Sequence, residues 1–577
     1  MAYQLSPGVA WSEIDLTTIV PSVSTTVGAL AGDFDWGPIN EIRAIGNELE
    51  LVRYFGKPSA NSSRSFQAQS FFTAANFLGY AQSLMLVRAA NTATAKNSTS
   101  GSSPVLIKNK DDYELNHIPN IASTLGAAYG MFSARYAGDL GNSIKVSLWA
   151  SANATAFSSW EYAGNFSSVP GTSTYASQPG VNGANDELHI VVVDANGSFG
   201  VSNSILEKYS FLSKAVDAKN DDGSSNYYVN VINDQSEFIY ILHHALDSTG
   251  NTDTTTWGRV ASNTTFAQGN SHYTKVLSGG ALGSPTNADL VQAFDRFTSV
   301  EDNDISLIMT GGASQSVSEH VVDNIAEVRK DCVTFISPLY EDAVNNDGLE
   351  ATDIATYRNL FNSSSYAFMD CAWKKQFDKY NNIYRWIPLN GDIAGLCART
   401  DFERDAWFSP AGFNRGQVKN VVKLSWNPTK AERDILYKSG VNPVVNFKGE
   451  GTILYGDKTL LAKPSAFDRI NVRRLFIVLE KAISKAAKYS LFEFNDEFTR
   501  AQFIALVEPY LRDIKGRRGI YDFRVVCDDS NNTPEVVDRN EFVGDIYIKP
   551  ARSINFIQLN FVAVRTGVAF SEVVGKF

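Results

Sequence analysis

The sequence predicts a multidomain protein of mixed α/β and α+β class, and three observations carry that prediction. The chain has 577 residues, too many for one hydrophobic core, so about two to four domains are expected. A run of strand, turn, helix and strand between Ile305 and Ser337 has the form of a βαβ unit, which implies a parallel strand pair with a right-handed crossover. Between residues 96 and 270 the composition turns to Ser, Thr, Asn and Gly around isolated strand-like runs, as in a β-rich insertion with long loops. The expected layout is an N-terminal arm at 1–22, an α/β domain at 23–95 and 271–455, a mainly β insertion at 96–270, an α+β domain at 456–565 and a C-terminal arm at 566–577.

Near the N-terminus, Val9 and Trp11 alternate with Ala10 and Ser12, and the segment runs on to Ile14. It reads as an extended strand with no local partner after the Pro7-Gly8 turn signal. A short strand is expected at Ser24–Leu30, a helix at Glu48–Phe55, a helix with Phe66, Phe71 or Phe72, and Phe77 facing inward, and a strand at Leu84–Val87. Within the insertion the runs Ile144–Trp149, Leu188–Asp194 and Tyr227–Ile232 read as strands. The α/β pattern then resumes with a helix from Asn287, a buried-type strand at Ile305–Thr310, a turn at Gly311-Gly312, the helix SVSEHVVDNIAEVRK and the strand CVTFIS. Further strands are expected at AFMDCAW and IYRWIP, and a helix at DIAGLCARTDF after Asn390-Gly391. Pro428 and Gly440 bracket a short helix in the Pro-first, Gly-last arrangement.

The C-terminal region has the clearest helical periodicity. From Ile470, the residues Leu475, Leu479, Ile483 and Ala486 recur on one face, and Phe503, Val507, Tyr510 and Ile514 mark a second helix that contains Pro509. Strand-like runs follow at Tyr521–Cys527 and Ile557–Val564. Beyond them Val568, Phe570 and Val574 form an extended tail with no partner strand downstream. Such a tail needs a sheet edge, which another molecule can supply.

Composition excludes several function classes. The four cysteines, Cys332, Cys371, Cys397 and Cys527, lack paired spacing, so neither a disulfide framework nor a zinc cluster is expected and all four read as buried small hydrophobes. The net charge of −11 argues against a nucleic-acid surface. It is unevenly spread: residues 464–577 carry 17 Lys and Arg against 15 Asp and Glu, the remainder 34 against 47. That asymmetry points the C-terminal part towards another protein. The N-terminal residues lack the pattern of a secretory signal and no apolar run reaches membrane-spanning length, so membrane insertion is not expected. Asn-x-Ser/Thr triplets such as those at Asn97 and Asn153 then read as chance in a Ser/Thr-rich stretch.

No catalytic constellation stands out. Gly311-Gly312 before a helix could offer amides to a phosphate, but the spacing and the Lys-Ser/Thr of a nucleotide loop are missing. His243-His244 are sequence neighbours that point apart. A serine-hydrolase set could be drawn only as Asp304, His320 and Ser337, with His320 inside an ordinary amphipathic helix. A structural role is the better reading, with no catalytic residue, cofactor or metal site.

Several stretches together resemble one family. They are SPGV from Ser6, ALAGDFDWGP ending at Pro38, ARYAGDLGNSIKV (Ala134–Val146), LEKYSFLSKAVDAKNDDGSSNYYVNVIND (Leu206–Asp234), LSGG from Leu277, ARTDFERDAWFSPAG ending at Gly412, and VRRL from Val472. The chain so resembles the tail sheath proteins of contractile-tailed bacteriophages, nearly end to end. The resemblance implies a virion structural protein, made in the host cytoplasm, that stacks as hexameric rings around a tail tube and contracts to drive it through the host envelope. It implies a subtilisin-like central domain without protease activity, and baseplate and tail terminator proteins as further partners. It also implies terminal arms that add strands to neighbouring subunits, here Val9, Trp11 and Ile14 at one end and Val568, Phe570 and Val574 at the other. Arg473, Arg474, Lys481 and Lys485, on one helix, are the candidates for an acidic tube surface. The alternatives are the sheath of a tailocin or related bacterial contractile injection system and, in another class, a subtilisin-like serine hydrolase.

Overall fold

The computed structural model describes residues 23–118, 128–244, 256–269, 272–555 and 558. In chain order the strands are β1 (Gly28–Asp33), β2 (Ile42–Ile45) and β3 (Leu84–Ala89), then β4 (Phe132–Ala134), β5 (Ile144–Trp149), β6 (Glu187–Asp194), β7 (Ser204–Ser213), β8 (Ile239–Ile241) and β9 (Tyr273–Val276) in the insertion. They continue as β10 (Leu307–Met309), β11 (Val333–Ile336), β12 (Ala367–Met369), β13 (Trp373–Asp378), β14 (Ile383–Pro388), β15 (Lys423–Leu424), β16 (Val444–Phe447) and β17 (Gly451–Leu454). The C-terminal unit adds β18 (Ile520–Val526) and β19 (Asp545–Pro550).

The central sheet has the order β12-β11-β10-β1-β3-β2. Five of its strands are parallel and β2 lies antiparallel on β3. The expected βαβ unit is there, with Leu307 of β10 opposite Val333 of β11. Its crossover helix is not regular: Gln315–His320 passes through a π-helical turn at Val321–Ala326 into Glu327–Arg329. Every residue of β1 is buried, as continuous apolar strands of a covered parallel sheet must be.

Helix Asn390–Glu403 packs on helix Ser65–Leu78, and the glycines of the former set the distance. A Cβ on Gly391 would come within 2.5 Å of the Thr73 carbonyl oxygen, and one on Gly395 within 2.5 Å of the Tyr80 ring. The same helix places Asp392 on Lys374 (2.9 Å) and on the Tyr80 hydroxyl (3.2 Å), all three buried. A buried charge needs such a partner.

In the insertion, β7-β6-β5-β9 form an antiparallel sheet and β4 pairs with β8. Strand β9 lies past the expected boundary at 270, so the insertion's sheet closes nearer the LSGG stretch. Trp36, from the central domain's loop after β1, is buried in the insertion core, edge-on to Tyr136 at 5.3 Å and Phe199 at 5.1 Å. Asn97 is buried, donating to the Ala134 carbonyl and accepting from the Ile107 amide, so no glycan can be carried there.

Some expectations need correction. Tyr227–Ile232 is not a strand: Tyr228–Gln235 is a helix with Tyr228, Val229, Ile232 and Asn233 buried, a spacing that fits one helical face. The first strand starts at Gly28, later than expected. The helix before Gly440 is capped by Thr429, which exchanges hydrogen bonds with Glu432; Pro428 precedes the cap. The partner of β18 is Asp545–Pro550. The expected strand at 557–564 lies outside the described residues, Gln558 apart. The four cysteines are buried and unbonded to each other.

Candidate functional site

The C-terminal unit is built on two helices whose bounds follow from their ends. Helix Glu497–Gly516 starts where the Asp496 carboxylate accepts the Thr499 amide at 2.8 Å, and it runs through Pro509. Phe503, Val507, Leu511 and Ile514 are buried with Leu475 and Leu479 of helix Ile470–Ala487. Trp407, from the DAWFSP stretch, completes this core and donates from Nε1 to the Arg517 carbonyl at 3.2 Å. The inward side chains of β18 and β19, among them Phe523, Val525, Ile546 and Ile548, close it on one side.

The basic face of helix Ile470–Ala487 points into the molecule. Arg474 is buried and pairs with buried Asp401 at 2.5 Å; Asp401 also accepts the Thr25 hydroxyl. Arg473 lies over the rings of Tyr366 (4.3 Å) and Phe467 (4.0 Å). Lys481 donates to Asp304 (2.9 Å), the Ile305 carbonyl (2.7 Å) and Ser306 (3.2 Å), and Lys485 reaches the other oxygen of Asp304 at 3.1 Å. Burial favours the neutral form of Asp304, but Lys481 and Lys485 more than offset it and hold the carboxyl below its usual range.

The structure places the candidates for an acidic tube surface, Arg473, Arg474, Lys481 and Lys485, mostly against the chain's own α/β domain. Arg473, Arg474 and Lys481 fasten the C-terminal unit to the α/β domain, and only Lys485, half exposed, has a side chain open to solvent. Sequence periodicity shows which residues share a helix face but not which face meets a neighbour's carboxylates.

The hydrolase set does not assemble. Ser337 donates to Asp370 at 2.7 Å and accepts from the Asn390 amide at 3.0 Å. His320 lies on Asp295 at 2.7 Å and accepts from Asn324 at 2.9 Å, and Asp304 is held by the two lysines. The phosphate-loop reading meets a similar obstacle: the Gly311 amide is taken by the Asn390 side chain at 3.1 Å. A Cβ on Gly312 would collide with Gln69. The ends of the central strands are therefore filled by the protein's own side chains. His243 and His244 are buried, and His244 pairs through Nδ1 with the Tyr228 hydroxyl at 2.6 Å.

Within this network burial pushes the Asp370 carboxyl up to about 8, the Ser337 hydroxyl and Ala372 amide only partly opposing it. The folded state so keeps a proton that the unfolded chain releases near pH 4, and stability falls as pH rises between those limits, by about 1.4 kcal/mol per unit at full slope. Asp370→Asn is expected to flatten this dependence. The loss of stability from pH 5 to pH 8, measured by denaturant unfolding, should shrink by roughly 2–4 kcal/mol; an unchanged profile would place the titration elsewhere.

The arm residues Val9, Trp11, Ile14, Val568, Phe570 and Val574 lie outside the described residues. The C-terminal unit does present uncovered sheet edges and exposed aromatic side chains. Strands β18 and β19 form a two-stranded antiparallel sheet, and among the described residues no strand pairs with either outer edge. The connection between the two long helices exposes Tyr489, Leu491, Phe492, Phe494 and Phe498, each at 62% or more.

Comparison with known proteins gives matches to the α/β and C-terminal parts of the chain. Residues 283–460 match the family model described as the phage tail sheath protein central domain, and residues 462–563 that of the phage tail sheath C-terminal domain. The chain is 35% identical over 665 residues to the tail sheath protein of Enterobacteria phage T4, covering 99% of each. It is 34% identical over 692 residues to that of Vibrio phage KVP40, covering 99% of this chain and 100% of the relative. In fold it is similar to the crystal structure of the sheath tail protein from Listeria innocua, with a TM-score of 0.52 at 12% identity over 93% of this chain and 97% of that one. The chain belongs to the tail sheath protein family of contractile-tailed bacteriophages.

Proposed function

We propose that this tail sheath protein, a virion component made in the host cytoplasm, polymerises as stacked hexameric rings around a tail tube and drives that tube outward on contraction. The observation that carries the assembly reading is the two-stranded sheet of β18 and β19. One face of this sheet is packed on the two long helices, while its outer edges keep unpaired backbone groups that can accept strands from neighbouring copies. The sequence offers such strands at Val9, Trp11 and Ile14 and at Val568, Phe570 and Val574. The exposed aromatic turn at 489–498 supports the same reading, because contiguous apolar surface of this kind marks a protein contact. No step needs an enzyme. The work of contraction would be stored at assembly, in a lattice that gains subunit contact as it shortens. The parallel sheet with its filled strand ends is compatible with a subtilisin-like ancestry lacking the triad, and baseplate and terminator proteins would cap the polymer.

The purified chain is expected to form wide helical tubes in negative-stain electron microscopy. Monodisperse globular particles at every concentration and salt tried would overturn the reading.

A further inference from the structure

Outside the network just described, a cleft of about 410 Å³ opens where the α/β domain passes into the C-terminal unit. Four cations line it: Arg358, Lys438, Lys458 and Lys463. The one carboxylate in the lining, Asp468, has Arg469 3.8 Å away. Arg358 is only 6% exposed. Its two terminal nitrogens donate to the carbonyls of Phe361 (3.0 Å) and Leu460 (2.6 Å), while Nε has no partner. Among the described residues no carboxylate pairs with it, and burial alone lowers its affinity for the proton. Lys458 donates to the Tyr437 carbonyl at 2.7 Å and lies over that ring. Lys438 and Lys463 are exposed and have no ion-pair partner among the described residues.

Helix ends explain part of this. Arg358 and Lys438 sit in the last turns of their helices, where carbonyl dipoles favour a cation. That does not account for Lys463, nor for a buried guanidinium without a counter-charge, which is costly unless an anion arrives.

We propose that this cleft is a carboxylate-binding site that receives an acidic segment of a second copy of this chain. The proposal rests on the sheath reading and adds to it the chemistry of one contact. Charge decides the occupant. A body of net charge −11 repels its own copies, so a lattice of them needs local basic sites that take up neighbouring carboxylates, and such complementarity sets register and partner choice. The volume has room for a short peptide segment and not only for one side chain.

The test uses the full-length chain below its assembly concentration, with hexaglutamate and inorganic phosphate as separate probes. Hexaglutamate is expected to bind the wild type in a salt-sensitive manner and to bind Lys438→Glu/Lys463→Glu at least tenfold more weakly, with only a small fall in Tm, since both lysines are exposed and only Lys438 loses a favourable helix-end position. The same variant should raise the concentration needed for tube formation about tenfold. Equal hexaglutamate binding, no binding to the wild type, or unaltered assembly of the variant would each overturn the proposal. Phosphate binding without hexaglutamate binding would also overturn it and assign a small-anion site instead. If the wild type forms no tubes the sheath reading fails, while the hexaglutamate titration still decides the cleft.

Discussion

Deleting residues 566–577 is expected to leave a folded, soluble monomer and to abolish tube formation. An added strand of typical length, about 5–6 residues, makes roughly that many cross-strand hydrogen bonds. At a net of about 0.5–1.5 kcal/mol each, one such link is worth roughly 3–9 kcal/mol before the cost of ordering the arm. Since about 1.4 kcal/mol is a factor of ten, losing one link per subunit moves assembly beyond accessible concentrations. The fold should survive, because the core of the C-terminal unit is closed by Leu475, Leu479, Phe503, Val507, Leu511 and Ile514 together with β18 and β19, all upstream of the deletion. Deleting residues 1–22 should act in the same way on the other strand. The measurements are sedimentation and negative-stain microscopy for polymer, and circular dichroism for the monomer. Tubes of normal width from either truncated chain would show that the connection runs through other surfaces, the aromatic turn at 489–498 being the next to test.

Much of this organisation was legible in the residues, for reasons that differ from place to place. The βαβ unit could be read because its strands are buried on both faces and so form unbroken apolar runs, with Gly311-Gly312 marking the turn. The helix Glu497–Gly516 could be recognised because its apolar stripe of Phe503, Val507 and Ile514 repeats at helical spacing, and the structure buries all three. Tyr227–Ile232 misled because aromatic and β-branched residues favour strands only as a weak prior. Packing in the insertion core turned those residues into a helix with Tyr228 and Ile232 inward. The intrachain partners of the basic face of helix Ile470–Ala487 are not legible in the sequence, for a different reason. The partners of Arg474 and Lys481 lie 73 and 177 residues away in the chain, and nothing local distinguishes a cation awaiting a carboxylate in the same chain from one awaiting another protein. The same limit hid the cleft around Arg358, whose lining comes from three separate stretches of sequence.

Arg474→Ala is expected to cost about 3–5 kcal/mol, the largest single-residue effect on the junction between the α/β domain and the C-terminal unit. The substitution leaves the buried Asp401 carboxylate with only the Thr25 hydroxyl for company, and an uncompensated buried charge is worth that much. Burial already raises the affinity of Asp401 for a proton, and Arg474 is the main force against it. Removing Arg474 therefore lets the carboxyl hold its proton at higher pH, and part of the loss should be recovered on acidification. The pair itself need not be stabilising. Replacing both partners at once, Arg474→Met with Asp401→Leu, removes the two desolvation costs together and should restore most of the stability. Denaturant unfolding followed by circular dichroism reads this. A loss below about 1 kcal/mol for Arg474→Ala, the range of an exposed pair, would mean that water reaches Asp401. If the double replacement is as unstable as the single one, the ion pair does more than balance its own charges and helps to hold the helix Ile470–Ala487 in register with Thr25 and Cys397, whose carbonyls Arg474 also approaches at 3.5 Å and 3.4 Å.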